Sequence, residues 1–154
     1  MAVVSKIEVF ASRFSKIHKN WTDDIDVTRQ INKVFADSLA IFYETNKDAF
    51  DNILLRLEDV ADSANGRNLA SFECWDHFID SKRLRAHIYT IVSDSLRKKL
   101  STGNFYYLTG LITDANLDHN VGYNPVDNTC DVGIIHLGLQ TIIHSNQASN
   151  SVVH

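Results

Sequence analysis

The chain has 154 residues, 44% of them hydrophobic and 22% charged, with one proline and two cysteines. Its formal charge of −4 lies wholly in the last third: residues 1–99 hold all 15 Lys and Arg against 15 of the 19 acids, while residues 100–154 hold four Asp and no Lys or Arg. This balance excludes the broad basic face of a nucleic-acid platform, and no run of about 18 apolar residues is present to form a conventional membrane-spanning helix.

A chain of this length reads as one domain with its own core. The opening MAVVSKIEVF carries charge too early for a signal-peptide core. Cys74 and Cys130 are too few for a disulfide framework, so a reducing compartment is the default. A pairing between them, or across a dimer, stays open.

In chain order, residues 4–19 place Ile7, Phe10, Phe14 and Ile17 at helical spacing, with Trp21 a turn beyond. NWTDD breaks the pattern and offers Thr22 or Asp23 as a cap. Residues 25–44 carry Val27, Ile31, Val34, Phe35, Leu39 and Phe42, a second helix with Asp24 and Asp26 at its start, where the macrodipole favours acids. Helical spacing is also read over 48–63 (Phe50, Ile53, Leu54, Leu57, Val60), 68–79 (Leu69, Phe72, Trp75, Ile79) and 83–100 (Leu84, Ile88, Ile91, Val92, Leu96, Leu100). Asn65-Gly66 and Ser101-Thr102-Gly103 are the stops.

Residues 104–116 are apolar on more than one side, which fits a buried helix or, because aromatics also favour sheets, a strand. Residues 117–129 form an Asn-, Asp- and Gly-rich loop. Residues 130–144 return to an apolar pattern in which Gly133 and Gly138 weaken a helix. The expectation is an all-α single-domain bundle of six to eight helices over residues 1–146, with a central hydrophobic helix and a polar flexible tail at 147–154.

Several clusters invite chemistry. Asp114, Asn116 and Asp118 alternate like the opening of a calcium loop, but His119 and Pro125 stand where the glycine and the bidentate acid belong, so a solvated Asx-rich turn is the plainer reading. Glu73, Cys74 and His77 fall within one helical turn, with His87 nearby, yet nothing completes a set of four ligands. His136 and His144 sit among apolar residues. No GxSxG, HExxH, Walker or dinucleotide fingerprint occurs. The sequence therefore points to a non-enzyme with no metal and no cofactor.

The order of segments resembles the Bcl-2 family of apoptosis regulators, especially the short, divergent versions carried by large DNA viruses. KIEVFASRFSKIHKNW looks like the family's opening helix, and ADSLAIFY within VTRQINKVFADSLAIFY looks like its third homology segment. SFECWDHFIDS is similar to the Ser-Phe-Glu start and Phe-x-Asp end of the first homology segment, with Lys82-Arg83-Leu84-Arg85 where Asn-Trp-Gly-Arg belongs. LQTIIHSNQASN stands at the position of the second segment. A rival register puts the third segment at Ile53, Leu57, Val60, Ala61, Asp62 and Ala64.

The resemblance implies a surface groove that sequesters amphipathic death-promoting helices of host proteins and so inhibits apoptosis. Its walls would come from Val34, Leu39, Phe42, Phe50, Leu54, Phe72, Phe78, Ile88 and Tyr89. Arg83 or Arg85 would meet the partner's aspartate. The same resemblance implies a homodimer that hides the empty groove, and a location in the host-cell cytoplasm, peripheral to mitochondria, without a stable membrane span. A helical adaptor or inhibitor of unrelated fold, acting by protein–protein binding, is the alternative.

Overall fold

The computed structural model describes residues 6–46, 50–62, 65–74 and 77–145. Two helices open the chain, α1 (Lys6–Ile17) and α2 (Ile25–Thr45). Asp24 starts α2: its own backbone is extended, and its side chain accepts the Val27 N–H at 2.9 Å. Thr28 Oγ donates back to the Trp21 carbonyl at 2.6 Å and locks the turn between the helices. Ile7, Ala11 and Phe14 on α1 and Ile31, Phe35, Leu39 and Tyr43 on α2 are buried, at the three- and four-residue spacing that puts each set on one face. Phe14, Trp21 and Phe35 meet with ring centroids 4.9–5.0 Å apart, a tilted and edge-on cluster that fixes the hairpin.

Among the described residues from 50 onward, strands predominate. Five long strands are β1 (Phe50–Ala61), β2 (Asn68–Cys74), β4 (Lys82–Val92), β5 (Phe105–Asn116) and β7 (Thr129–His144), with two short ones, β3 (Phe78–Ile79) and β6 (Gly122–Asn124). One short helix, α3 (Asp94–Arg97), follows β4, capped by Ser93, whose side chain accepts the Leu96 N–H. The long strands pair in the order β4-β2-β1-β5-β7, and β7 then pairs with β4, closing a barrel. An odd number of strands cannot close with antiparallel neighbours alone, and the one parallel pair is β4–β7. β1 serves both sides: Phe50–Arg56 pairs with β5 and Leu55–Ala61 with β2, with register shifts that bend it. Closure gives every long strand a paired neighbour on both sides.

Alternation sets the inside. On β4, Leu84, Ala86, Ile88, Thr90 and Val92 are buried, while Arg83, Arg85, His87 and Tyr89 are half-buried on the outer wall. Thr90 is tolerated within because its hydroxyl donates to the Leu137 carbonyl at 2.8 Å. Gly110 is required where β5 crosses β7, since a Cβ there would lie 2.3 Å from the Gly138 oxygen. The helical hairpin covers the end of the barrel where β4 and β7 begin. Tyr43 donates to the Val132 carbonyl at 2.6 Å, His77 lies 3.3 Å from Glu8, and Ser15 donates to Asp80 at 2.6 Å. One hydrophobic cluster runs through both parts.

This architecture overturns the expected all-α bundle of six to eight helices and with it the Bcl-2 resemblance. Of the segments read as helical, only 4–19 and 25–44 hold the long helices, α1 and α2; the described parts of 48–63, 68–79 and 83–100 are largely strand, and 130–144 falls in β7, the longest described strand. There is no central hydrophobic helix among the described residues, and the place it would hold is the barrel interior. Nothing in the fold supports the apoptotic or viral reading. The alternative strand reading of 104–116 is the one the structure adopts. The tail at 147–154 lies outside the described residues, as does Trp75.

Candidate functional site

The outer wall of the barrel carries a polar cleft where β4 and β7 run side by side. Their pairing slips between Arg85 and His87: Arg85 stands opposite Asp131, but His87 stands opposite Ile134. β7 thus spends one extra residue at Val132-Gly133, and Gly133 takes φ +84 to make the bulge. A Cβ at Gly133 would be 2.8 Å from the Asn116 carbonyl oxygen, so the position needs glycine on two counts. The bulge aims the Gly133 N–H at Asp131 Oδ1, 2.8 Å away.

The loop between β5 and β7 forms the other wall, shaped by its own short side chains. Asp118 Oδ1 accepts the Asn120 N–H at 2.9 Å and Asn124 Oδ1 accepts the Val126 N–H at 3.0 Å. Asn128, at φ +55, donates to the Ser81 carbonyl at 2.9 Å and anchors the loop to the β3–β4 turn. Between these walls lies a cavity of about 240 Å³ lined by Arg85, His87, Tyr89, Thr129, Asp131, Gly133 and Ile134 from the strands and Asp118, Asn120 and Asn124 from the loop.

Its electrostatics are mixed. Asp131 is only 7% exposed, and burial pushes its carboxyl above the ordinary value of 3.8; the Gly133 N–H, His87 and Arg85 oppose that shift, and Asp118 reinforces it. Arg85 is flanked by acids, with Nε 3.5 Å from Glu73 Oε1 and Nη1 3.9 Å from Asp127 Oδ2. The Glu73 contact is an ion pair without a hydrogen bond, and Arg85 Nε is a buried donor with no acceptor among the described residues. Tyr89 extends the cleft along β4 and meets His136 across the seam, ring centroids 5.7 Å apart. His136 Nε2 is in turn 3.4 Å from Asn116 Nδ2.

The residues expected to wall a helix-binding groove are spread over the molecule. Arg85 and Tyr89 do come together, in the polar cleft. Arg83 shares their outward row on β4. Phe72 and Ile88 are cross-strand partners inside the barrel. Leu39 is buried beneath α2, Val34 is exposed on α2, and Phe42 borders a separate groove between the helices. Phe78 is exposed on β3, Leu54 is half-buried on β1, and Phe50 opens β1 opposite Gly110. Sequestration of death-promoting helices thus loses the scaffold from which it was inferred.

The other clusters also separate. Cys74 is buried, His77 turns to Glu8, and Glu73 and His87 face each other across β2 and β4. Among the described residues no three His, Cys, Asp or Glu converge as metal ligands. None of the described helices is long and apolar enough to cross a membrane. No pattern in the sequence groups His87, Asp118, Asn120 and Asp131. The signal available for the strand half of the cleft was Arg83-x-Arg85-x-His87-x-Tyr89, polar groups at every second position. No known protein family, curated protein or solved structure matches this chain.

Proposed function

We propose that the protein is a binding module whose barrel-wall cleft takes a small, uncharged, hydroxyl-rich ligand of the sugar or polyol class. The observation that carries this reading is the balance of the cleft walls. Donors (Arg85, Tyr89) face acceptors (Asp118, Asp131) and amides that do both (Asn120, Asn124). A hydroxyl group both donates and accepts, so a ring bearing several satisfies such walls from either side. A polyanion fits poorly, because Glu73, Asp118, Asp127 and Asp131 outnumber the cations around Arg85. The cavity of about 240 Å³ falls below the roughly 300–1,000 Å³ usual for drug-sized ligands, which suits a single ring. Tyr89 offers that ring an aromatic face.

The strand order around the barrel, with the first, second, third, fifth and fourth long strands in sequence and a parallel third–fifth pair, is shared with five-stranded OB-type barrels. Those bind oligosaccharides or oligonucleotides on their second and third strands and adjoining loops. This likeness is a fold-level analogy, and the argument for a neutral ligand rests on the cleft's own chemistry.

Amide NMR spectra recorded while neutral mono- and disaccharides are titrated in test the proposal. The expected result is saturable shifts confined to Arg85–Tyr89, Asp118–Asn124 and Asp131–Ile134, lost in Asn120→Ala. Silence towards every neutral sugar overturns it, as does a response only to inorganic phosphate or an oligothymidylate.

A further inference from the structure

A second surface, of different character, lies on the helical hairpin. Between α1 and α2 runs a groove of about 390 Å³, floored by Val9, Phe10, Phe14, Ile17 and Phe42. The helices seal their inward faces against the barrel yet leave this seam apolar and open. Ile17 is 76% exposed at its end. Single exposed apolar residues need no explanation, but several gathered along one groove mark an interaction surface.

Among the described residues, both charged ones that line the groove, Lys6 and Arg13, are cations, in a chain whose formal charge is −4. Glu8, the only acid of α1, is turned away to His77. Arg13 has no acidic partner among the described residues. The groove is parallel to the helices that make it. α1 has 12 residues, a length of about 18 Å at 1.5 Å per residue, or three turns of a partner helix laid alongside.

From this geometry and charge we infer that the α1–α2 groove docks an acidic amphipathic helix of another protein, with apolar anchors at i, i+3 or i+4 and i+7 in the groove and carboxylates beside Arg13 and Lys6. The site shares no residue with the polar cleft, so the two readings stand or fall separately.

The test is fluorescence anisotropy of the full chain with two labelled model helices of equal hydrophobicity. Both carry leucine at the anchor positions; one has glutamate and the other lysine at the flanks. The glutamate peptide binds saturably, the lysine peptide does not, and Arg13→Glu and Ile17→Ser each weaken binding by about tenfold or more. Both substituted positions are at the surface, and circular dichroism verifies that the variants fold. Equal binding of the two peptides, or no binding of either, overturns the inference. So does a concentration-dependent dimer that Ile17→Ser dissolves, which makes a second copy the occupant. Binding that appears only after removal of residues 1–5 also overturns it, by assigning the groove to the chain's own start.

Discussion

Asn32 is bonded to Tyr123 in the way one strand is bonded to the next. Its Nδ2 donates to the Tyr123 carbonyl at 3.1 Å and its Oδ1 accepts the Tyr123 N–H at 2.8 Å, while Trp21 Nε1 donates to the same oxygen at 2.7 Å. A side chain from α2 thereby completes the free edge of β6 and ties the hairpin to the cleft loop. Replacing Asn32 by Leu strands the Trp21 and Tyr123 groups together and should cost about 3 kcal/mol, since each buried polar group left unpaired costs roughly 1–3 kcal/mol. Urea denaturation measures it, and a loss of less than about 0.5 kcal/mol would show that water replaces the amide.

The neighbour Gly122 makes that contact feasible. It holds φ +113, and a Cβ there would fall 2.3 Å from Asn32 Oδ1. Gly122→Ala is therefore expected to destabilise through both backbone strain and clash, by about 2 kcal/mol or more. In the Asn32→Ala background much of the clash is gone, so the two losses should be less than additive in a double-mutant cycle.

Asp131 makes stability depend on pH in a stated direction. Burial, the largest cause, raises its folded-state carboxyl above the ordinary 3.8. Folding therefore favours the protonated form, whose contribution is complete in acid below the unfolded value and lost as pH rises through the folded one. At neutral pH the ionised group opposes folding. Asp131→Asn retains an Oδ1 to accept the Gly133 N–H and should raise Tm at pH 7, the gain vanishing towards pH 3. An equal gain at both pH values would exclude carboxylate desolvation as the cause.

The helical hairpin was legible because α1 and α2 repeat apolar residues every three or four positions and keep polar outer faces. The barrel was obscured by the residues that let it close. On β4 the inward row is Lys82, Leu84, Ala86, Ile88, Thr90 and Val92, and its small or polar members break the apolar alternation. The remaining Leu84, Ile88, Ile91 and Val92 then fit a helical spacing equally well. On β7 the run Thr129–Gly133 is buried throughout and Ile135 and Leu137 follow at alternate positions, so neither period is clean. Gly133 and Gly138 weakened the helix reading there but gave no sign of the bulge and the close strand crossing they serve. The cap was read at Thr22 or Asp23 and falls at Asp24, one residue on. Arg85 and Tyr89 were noticed, but Asp131 enters the cleft only through the β4–β7 pairing, a contact between residues 46 positions apart. No local pattern encodes such a pairing.

Both cysteines should be inert in the folded protein. Cys74 and Cys130 are buried and not joined in a disulfide, and burial pushes the Cys130 thiol up to about 12, with Lys82 opposing the shift and Asp131 adding to it. A thiol enclosed in the core is out of reach of a disulfide reagent. Ellman's reagent at pH 8 should titrate no thiol in the native protein and two after guanidinium is added. Fast reaction of one thiol before unfolding would mean that the barrel opens locally around it.

Lys82 offers the sharpest test of the hairpin–barrel junction. Its side chain is 9% exposed, its Nζ donates to Ser15 Oγ at 3.1 Å and lies 4.0 Å from Asp80 Oδ2, and the Trp21 ring centroid is 5.6 Å away. Ser15 Oγ in turn donates to Asp80 Oδ2 in a 2.6 Å hydrogen bond, so the hydroxyl links cation and carboxylate. Asp80 is exposed and keeps its water when Lys82 is removed. Lys82→Met, which fills the same volume and buries no charge, should therefore cost less than about 1 kcal/mol. Ser15→Ala leaves a buried ammonium without its acceptor and should cost about 2 kcal/mol, the scale of a hydrogen bond to a charged group. The two substitutions cannot add: once Lys82 is Met, the hydroxyl has no buried cation to serve, so the double variant should be close to Lys82→Met alone. Additive losses in thermal or urea unfolding would mean that Ser15 matters through packing, and that the ammonium is held by Asp80 and the aromatic faces without it.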